Sequence, residues 1–171
     1  MWKDLHGEVD GITALIGGDL RNGRVARSDV YLLSKFKGIR FKFVSPNELR
    51  MKDDVLAHLR EHDVPYSETE NLEEVLPEAD VVYWTRIQRE RMTEEELARF
   101  APLKDRFVLG ERHLPLMKKN AIILHPQPIA GEIEPRVKLD PRARWKSQSA
   151  NGLPSRMVLL TWVMNRFPHF H

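Results

Sequence analysis

The feature that most constrains the fold is a regular alternation of short apolar runs with helical patterns along the chain. The runs have the length and composition of buried strands, whereas apolar residues three and four positions apart predict amphipathic helices between them. The runs lie at residues 12–16, 41–44, 81–84 and 121–124, with a weaker one over residues 64–68. This alternation predicts an α/β, Rossmann-like fold: a three-layer, doubly wound, mostly parallel sheet with helices on both faces.

Helix boundaries follow from capping residues and stop signals. Ser28 is predicted to cap the first helix, which would end at residues 37–38. A second helix is predicted over Asp53–Glu61, and the last over residues 154–165. Thr93, followed by three glutamates, predicts a further helix start, because a threonine cap and acidic residues both stabilise the positive end of a helix dipole.

The run at residues 81–84 stops abruptly and is followed by a segment rich in arginine, glutamine and glutamate. In an open α/β sheet, ligands bind beyond the carboxyl ends of the strands, and Arg86 and Gln88 lie just past such an end. The guanidinium of Arg86 is a planar fork that suits a carboxylate, and the Gln88 amide can donate and accept hydrogen bonds. Pattern alone leaves two interpretations open: a pocket for a small di-acid, or the charged, solvated start of a surface segment.

Bulk composition excludes several classes of function. The 27 Lys and Arg nearly balance the 25 Asp and Glu and are interleaved with them, so the net charge of +2 predicts no nucleic-acid partner. The chain has no cysteine, which excludes disulfides and is typical of a reducing, cytoplasmic compartment. No apolar run reaches the roughly 18 residues of a membrane span, and the histidines show no metal-ligand spacing. No linker or repeat interrupts the pattern, so residues 1–171 are predicted to form one domain.

Two motifs at strand ends admit more than one interpretation. Gly17 and Gly18 follow the first apolar run, as in a nucleotide-binding turn, but the spacing G-x-G-x-x-G and a Walker A motif are both absent. We favour a tight turn from strand to helix. His125 ends the last apolar run beside two prolines, where a neutral imidazole could hold the loop or donate a hydrogen bond to a ligand.

Four motifs together resemble the C-terminal, aspartate-binding domain of aspartate carbamoyltransferases. They are Gly18-Asp19-Leu20 with Gly23-Arg24 and Ser28, Thr85-Arg86-Ile87-Gln88-Arg89-Glu90-Arg91, His125-Pro126-Gln127-Pro128 with Glu132-Ile133, and Asn151-Gly152 with Arg156. The motifs occur in the order of the family and span nearly the whole chain. The segment Thr-Arg-x-Gln-x-Glu-Arg is specific and favours the aspartate enzymes over the related ornithine enzymes.

The resemblance implies a reaction and assigns roles to residues. The family transfers the carbamoyl group of carbamoyl phosphate to the amine of L-aspartate, which yields N-carbamoyl-L-aspartate and phosphate in pyrimidine biosynthesis. By resemblance, Arg86 binds the side-chain carboxylate of aspartate with the help of Gln88, and the backbone of residues 125–128 contacts the carbamoyl group. Residues 87–103 correspond to a mobile loop that closes over the substrates. The family reaction requires no metal and no organic cofactor.

The chain departs from the family pattern at several positions. Ile129 stands where the family carries arginine after His-Pro-Leu-Pro, Gln127 replaces the leucine, and Gly131 replaces an acidic residue. Arg27 stands where a histidine commonly precedes the serine of the first motif. Ile129 and Arg27 favour an alternative, in which the chain is a non-catalytic relative that serves as a binding or assembly module.

The resemblance covers one of the two domains of the family. The N-terminal carbamoyl-phosphate domain, with its Ser-Thr-Arg-Thr motif, is absent, and residues 1–7 resemble the end of the helix between the domains. The chain is therefore expected to hold no complete catalytic set, to bind L-aspartate weakly, and to use carbamoyl phosphate only with an N-terminal domain. The family assembles as trimers, so a trimer and a regulatory or pathway partner are further expectations.

Overall fold

The computed structural model of the protein describes Leu5 and residues 9–166. Its strands form one five-stranded parallel sheet in the order β3-β2-β1-β4-β5. The strands are β1 (Thr13–Gly17), β2 (Arg40–Val44), β3 (Tyr66–Thr69), β4 (Val81–Trp84) and β5 (Ile122–Leu124). The α-helices are α1 (Arg24–Leu33), α2 (Asp53–Glu61), α3 (Leu72–Val75), α4 (Glu94–Phe100), α5 (Trp145–Ala150) and α6 (Gly152–Arg166). Short 3-10 helices lie at Asn47–Leu49, Leu76–Glu78, Arg89–Arg91, Ala101–Phe107, Glu111–Leu116 and Pro135–Leu139.

Side chains of the strands alternate between two apolar layers, one on each face of the sheet. Ile16 and Tyr83 pack in the layer that α1 and α2 cover, whereas Leu15 and Trp84 pack in the layer that α3 and α4 cover. Burial of each large side chain of this kind contributes on the order of 2 kcal/mol. The predicted three-layer, doubly wound α/β architecture is therefore confirmed.

The strand order creates a switch point between β1 and β4. The chain runs from β1 outward to β2 and β3, returns to β4 on the other side of β1, and continues to β5. In open α/β sheets, the crevice outside the carboxyl ends of the two strands at such a point is the usual ligand site. The loops after β1 and β4 flank this crevice, and the second of them carries Arg86 and Gln88.

The glycine pair at the end of β1 permits a close approach to β4. A Cβ atom on Gly17 would lie 2.2 Å from the ring of Trp84, and one on Gly18 would lie 2.1 Å from the carbonyl oxygen of Thr85. Gly18 also has a φ of +103°, which glycine adopts without steric cost. The interpretation as a tight structural turn is confirmed. The close packing against β4 accounts for both glycines, so they give no evidence for a nucleotide site.

Helix α1 begins earlier than predicted. Gly23 occupies the N-cap position, and the Ser28 hydroxyl donates within the helix to the carbonyl of Arg24 at 3.0 Å. The prediction is wrong because a serine hydroxyl can cap a helix start or bond to a carbonyl one turn earlier, and local sequence does not distinguish the two. The helix also ends at Leu33, before the predicted stop.

The other helix predictions agree with the structure. Helix α2 has the predicted bounds, and α6 includes the predicted residues 154–165. At the start of α4, the Thr93 hydroxyl accepts from the N–H of Glu96 at 3.2 Å, while the Glu96 carboxylate accepts from the N–H of Thr93 at 2.9 Å. This reciprocal capping box defines where the helix begins. The helix predicted at residues 1–7 lies outside the described residues, apart from Leu5.

Helix α6 exposes large apolar side chains on all its sides. Between 40% and 68% of the surface of each is exposed for Leu153, Met157, Val158, Leu159, Leu160, Trp162, Val163 and Met164. Successive helical residues point roughly 100° apart, so this set covers the whole circumference, as in helices that are buried in a larger assembly. The helix has 15 residues, and within the described ranges no helix is both long and apolar enough to cross a membrane.

Candidate functional site

All six residues that the sequence analysis assigns to substrate binding line one cavity of about 260 Å³ at the switch point. They are Arg86, Gln88, His125, Pro126, Gln127 and Pro128. The other lining residues are Asn22, Gly23, Arg24, Val25, Thr85 and Arg91. Segments that follow β1, β4 and β5 thus meet at one place, because the carboxyl ends of parallel strands share one edge of the sheet.

The carboxylate of Asp19 ties the loop after β1 to the loop after β4. Asp19 is completely buried. Its Oδ1 accepts from the N–H of Asn22 at 2.9 Å, and its Oδ2 accepts from the Asn22 amide at 3.2 Å and from the N–H of Gln88 at 3.3 Å. The Thr85 hydroxyl adds a hydrogen bond to the carbonyl of Gly17 at 2.9 Å. These contacts fix the backbone of Gln88 at the wall of the cavity.

The guanidinium of Arg86 is oriented by Glu90, four residues further along the chain. The two side chains form an ion pair, and 40% of the Arg86 side chain remains exposed. A backbone N–H and the Arg86 guanidinium hold the pKa of the Glu90 carboxyl below its usual value. Arginine has five N–H donors, and the contact with Glu90 is made through one nitrogen, so donors remain for a ligand.

His125 is buried and holds the loop after β5. Its Nδ1 accepts from the N–H of Gln127 at 2.8 Å, so the ring proton is assigned to Nε2, which lies 2.7 Å from Oε1 of Glu132. The Nε2–H does not point along this line, so the contact is electrostatic and not an aligned hydrogen bond. Gln127 has a φ of +63°, and the Gln127–Pro128 peptide is cis. Of the two roles left open for His125, this geometry supports the one that holds the loop.

Two further polar residues, Gln148 and Glu132, support the same loop. The sequence analysis gave neither of them a role. Gln148 of α5 accepts from the N–H of His125 at 3.1 Å and donates to the Tyr83 hydroxyl at 3.2 Å. Glu132 also accepts from the N–H of Ala130 at 2.9 Å. Burial opposes ionisation of Glu132, but His125 and backbone N–H donors outweigh it and hold the pKa of this carboxyl below its usual value.

Two further guanidinium groups line the cavity, although the sequence analysis gave them no role. Arg24 opens α1, and Arg91 ends the 3-10 helix after β4. Neither forms an ion pair with a carboxylate of the described residues, although the charge of Arg91 helps to lower the pKa of the nearby Glu90. Their positions directly after strand-end loops were the available signal, but exposed arginines are common. With Arg86, three guanidinium groups surround the cavity and favour a ligand with more than one negative charge. No set of three or more His, Cys, Asp or Glu side chains in the described ranges could hold a metal ion.

Arg21 connects the loop after β1 to helix α4. Its Nη1 and Nη2 donate to the two carboxylate oxygens of Glu96 at 2.8 and 3.3 Å, a bidentate contact. Arg21 and the N–H of Thr93 lower the pKa of Glu96 to about 2. The contact fastens residues 87–103, which by resemblance form a mobile loop, beside the cavity.

Protonation of Glu96 should weaken this attachment of α4. Because the folded-state pKa lies below the ordinary value of 4.5, the contact stabilises the fold above pH 4.5, and this contribution is lost as the pH falls toward 2. We expect the NMR titration midpoint of the Glu96 carboxyl to rise toward its ordinary value in Arg21→Ala. Arg99→Ala, which removes an exposed partner of Glu95, is the matched control and should leave the midpoint in place. An unchanged midpoint in Arg21→Ala would contradict the assignment.

Comparison with known families identifies the relatives of the chain. A family model described as the Asp/Orn binding domain of aspartate/ornithine carbamoyltransferase matches residues 10–163. The chain belongs to the aspartate/ornithine carbamoyltransferase family. The matched part includes the loops after β1, β4 and β5 and every residue that lines the cavity.

Curated carbamoyltransferases resemble the chain over nearly its whole length. The chloroplastic aspartate carbamoyltransferase of Arabidopsis thaliana is 45% identical over 158 residues, which cover 92% of this chain and 40% of the relative. The catalytic subunit of Lachnoclostridium phytofermentans aspartate carbamoyltransferase is 37% identical, with 97% and 54% of the two chains covered. The chain therefore spans about half the length of the carbamoyltransferases that it matches.

Solved carbamoyltransferase structures share the fold. The catalytic subunit of M. jannaschii aspartate transcarbamoylase superimposes with a TM-score of 0.88 at 33% identity and covers 98% of this chain and 54% of that chain. The Trypanosoma cruzi aspartate transcarbamoylase in complex with carbamoyl phosphate and aspartate has a TM-score of 0.84 at 34% identity, with 93% and 52% covered.

Proposed function

We propose that this chain is the aspartate-binding half of an aspartate carbamoyltransferase, which transfers the carbamoyl group of carbamoyl phosphate to the amine of L-aspartate. The observation that carries the proposal is the cavity at the switch point, where Arg86 and Gln88 meet the loop of residues 125–128. The relative from Trypanosoma cruzi, crystallised with both substrates, supports the assignment.

The charges around the cavity suit aspartate better than ornithine. Aspartate has two carboxylates and one ammonium group, whereas ornithine has one carboxylate and two ammonium groups. Arg24, Arg86 and Arg91 all line the cavity, and a guanidinium fork accepts a carboxylate with two parallel hydrogen bonds. We assign the side-chain carboxylate to Arg86 and the α-carboxylate to Arg24 or Arg91. A second ammonium group would be repelled by these cations.

In the proposed reaction, the amine of aspartate attacks the carbonyl carbon of carbamoyl phosphate. A C–N bond forms, the bond from that carbon to the phosphate oxygen breaks, and the amine loses a proton as phosphate leaves. The contribution of this chain is to hold aspartate so that its amine faces the carbonyl, and such orientation is a large part of the acceleration in two-substrate reactions. The loop held by His125 would form the wall next to the carbamoyl group.

The proposed enzyme needs a second half that binds carbamoyl phosphate. The chain matches only 40% to 54% of the length of the relatives described above, and α6 exposes apolar side chains around its whole circumference. Apolar surface of this extent is typical of an interface and not of an isolated surface helix. We propose that the N-terminal half packs against α6 and completes the active site.

The experiment that tests the function is an assay for N-carbamoyl-L-aspartate with carbamoyl phosphate and aspartate as substrates. The chain is assayed alone and with a separately expressed N-terminal half of the Lachnoclostridium phytofermentans relative. Activity only in the mixture is the expected result. If sedimentation velocity shows that the two halves associate and the mixture is still inactive, the proposed catalytic function is wrong.

Polar substitutions on α6 should prevent this association without unfolding the chain. Val158 and Leu160 are 68% and 64% exposed, so Val158→Ser with Leu160→Ser should change the free energy of unfolding by less than about 1 kcal/mol. We expect the affinity of the two halves to fall at least about tenfold, because the apolar area buried between them decreases. Leu139→Ser, at a position that is 82% exposed outside α6, is the matched control and should associate normally. Unchanged association of the α6 variant would contradict this role of the helix.

The alternative of a non-catalytic binding or assembly module rests on Ile129 and Arg27. Neither residue lines the cavity that contains Arg86. Ile129 lines a separate cavity beside α5, and Arg27 is ion-paired with Asp54 at 2.5 Å. Ile129 and Arg27 therefore leave the lining of the proposed aspartate site unaltered, whereas Gln127, which replaces the family's leucine, is part of that lining. The mixing assay above separates the two functions.

Assembly and compartment are further parts of the proposal. We propose that the completed enzyme forms trimers, as the resemblance implies, and that it acts in pyrimidine biosynthesis. A cytoplasmic location is a prediction from the absence of cysteine, and the chloroplastic relative in Arabidopsis thaliana shows that the family also occurs elsewhere. Sedimentation velocity of the active mixture tests the trimer.

A further inference from the structure

The side-chain amide of Gln148 connects the ends of two neighbouring strands. Its Oε1 accepts from the backbone N–H of His125, just after β5, at 3.1 Å, and its Nε2 donates to the hydroxyl of Tyr83, in β4, at 3.2 Å. A backbone N–H can only donate, so the amide oxygen must face His125 and the amide nitrogen must face Tyr83. The amide therefore has one orientation. We call these three connected residues the Gln148 bridge.

The Tyr83 end of the Gln148 bridge is held by the sheet. Tyr83 pairs with Leu124 of β5 in the parallel register and is 6% exposed. Burial and the nearby carboxylate of Asp29 raise the pKa of the Tyr83 hydroxyl to about 12, so this group stays neutral at ordinary pH. A neutral hydroxyl on a paired strand gives the amide a partner of fixed position.

Helix α5 carries Gln148 and is itself attached to the outer edge of β5. The N–H of Ile123 donates to the carbonyl of Arg142, and the N–H of Arg144 donates to the carbonyl of Ile123, both at 2.8 Å. Trp145, at the start of α5, is 3% exposed. These contacts anchor the backbone of α5 beside β5, so the Gln148 amide extends from a fixed position.

The Gln148 bridge acts on the loop of residues 125–128 at its first residue. The imidazole of His125 in turn accepts from the N–H of Gln127 at 2.8 Å, so Gln148 holds the start of the loop and His125 holds its middle. Neither Gln148 nor Tyr83 lines the cavity at the switch point. An effect of Gln148 on the reaction must therefore pass through the position of the loop.

We propose that Gln148 is a positioning residue for carbamoyl transfer, which fixes the loop wall next to the carbamoyl group. This inference rests on the proposed function. Aspartate is expected to bind independently of the Gln148 bridge, because a separate contact from the carboxylate of Asp19 fixes the backbone of Gln88 at 3.3 Å. Removal of the bridge should therefore lower kcat and leave KM for aspartate nearly unchanged, since only the second substrate loses its alignment.

The experiment measures steady-state kinetics of the chain mixed with the N-terminal half of the Lachnoclostridium phytofermentans relative, with aspartate varied at saturating carbamoyl phosphate. We expect Gln148→Leu to lower kcat at least about tenfold, because a misplacement of about 1 Å can slow a reaction about 100-fold. Gln148→Glu should restore most of the rate, since a carboxyl group accepts from the N–H of His125 and also bonds to the Tyr83 hydroxyl. Ser149→Ala, which changes an exposed residue of the same helix, is the matched control and should behave as wild type.

Further measurements separate a folding defect from a loss of position. Sedimentation velocity gives the amount of assembled enzyme, so that kcat refers to assembled active sites, and thermal unfolding verifies the fold of each variant. In the chain alone, hydrogen exchange of the His125 N–H should be at least about tenfold faster in Gln148→Leu, because that N–H loses its acceptor. If Gln148→Leu does not fold, Tyr83→Phe replaces it. The amide then loses its second partner, and kcat should fall about threefold.

Each outcome decides the inference. A lower kcat with an unchanged KM in Gln148→Leu, restored in Gln148→Glu, supports it. A normal kcat in Gln148→Leu beside an active wild-type mixture overturns it and leaves the proposed function intact. A higher KM for aspartate with a normal kcat, no recovery in Gln148→Glu, or unchanged hydrogen exchange of the His125 N–H also overturns it. An assembled but inactive wild-type mixture overturns the proposed function and this inference together.

Discussion

Replacing Arg86 with alanine is expected to lower kcat/KM for aspartate about 1000-fold in the enzyme completed with an N-terminal half. The physical reason is that the substrate carboxylate loses a bidentate, charge-assisted partner while it is still removed from water. A loss of this size corresponds to about 4 kcal/mol, within the range found when one partner of a desolvated ion pair is deleted. Arg86 lies in the loop after β4 and 40% of its side chain is exposed, so the variant should fold normally.

Two further variants make the Arg86 result specific. Arg86→Lys keeps the charge but loses the planar fork, so its kcat/KM should fall between those of wild type and Arg86→Ala. Arg99→Ala removes an exposed arginine of α4 in the same segment and should change kcat/KM less than about threefold, since exposed ion pairs contribute little. Steady-state kinetics with varied aspartate provide the measurement. Near-normal kinetics of Arg86→Ala in an assembled mixture would contradict the assignment of the aspartate site.

Glu132→Ala is expected to destabilise the chain by about 3 kcal/mol, because the buried imidazole of His125 loses the carboxylate that faces its Nε2–H. His125 is 1% exposed and Glu132 is 7% exposed, so water cannot replace the lost carboxylate without opening the loop. The N–H of Ala130 also loses its acceptor. For a chain of this length, the midpoint of thermal unfolding should fall by about 10 °C. Glu78→Ala, which breaks an exposed pair with Lys42, is the matched control and should cost less than about 1 kcal/mol.

The stabilisation from Glu132 should depend on pH in a defined direction. Its pKa lies below the ordinary value of 4.5 in the folded chain, so the ionised form stabilises the fold above pH 4.5. That contribution is lost as the pH falls through the lowered pKa, and the difference in stability between wild type and Glu132→Gln should shrink in the same range. Chemical unfolding between neutral and acidic pH measures this difference. A difference that stays constant with pH would show that Glu132 acts through shape and not through charge.

Residue patterns were sufficient to predict most strands and helices, because the patterns that specify these elements involve only neighbouring residues. Runs of buried residues identified β1, β2, β4 and β5, and the spacing of apolar residues identified α2 and α6. The start of α4 was predicted from Thr93 and the glutamates after it, since a capping box needs only four neighbouring residues. The start of α1 was predicted wrongly at Ser28, because a serine hydroxyl has two local partners of similar strength.

The site was only partly predictable. Arg86, Gln88 and residues 125–128 stand directly after strands, and position in the sequence was enough to select them. Arg24 and Arg91 were not assigned, because their convergence on the same cavity depends on β4 lying next to β1, a pairing between distant parts of the chain. No local pattern specifies that neighbour. The support of His125 by Glu132 and Gln148 was missed for the same reason.

By itself, the sequence determined which segments become strands and helices, that they alternate, and that Arg86 and Gln88 follow the end of a buried strand. Only the tertiary structure decided that β1 and β4 are neighbours, that three guanidinium groups surround one cavity, and that large apolar side chains of α6 stay 40% to 68% exposed. The physical reason is the distance along the chain over which each interaction acts. Backbone propensity and apolar periodicity act over a few residues, whereas strand pairing, burial of charge and exposure of a helix depend on residues far apart in the chain.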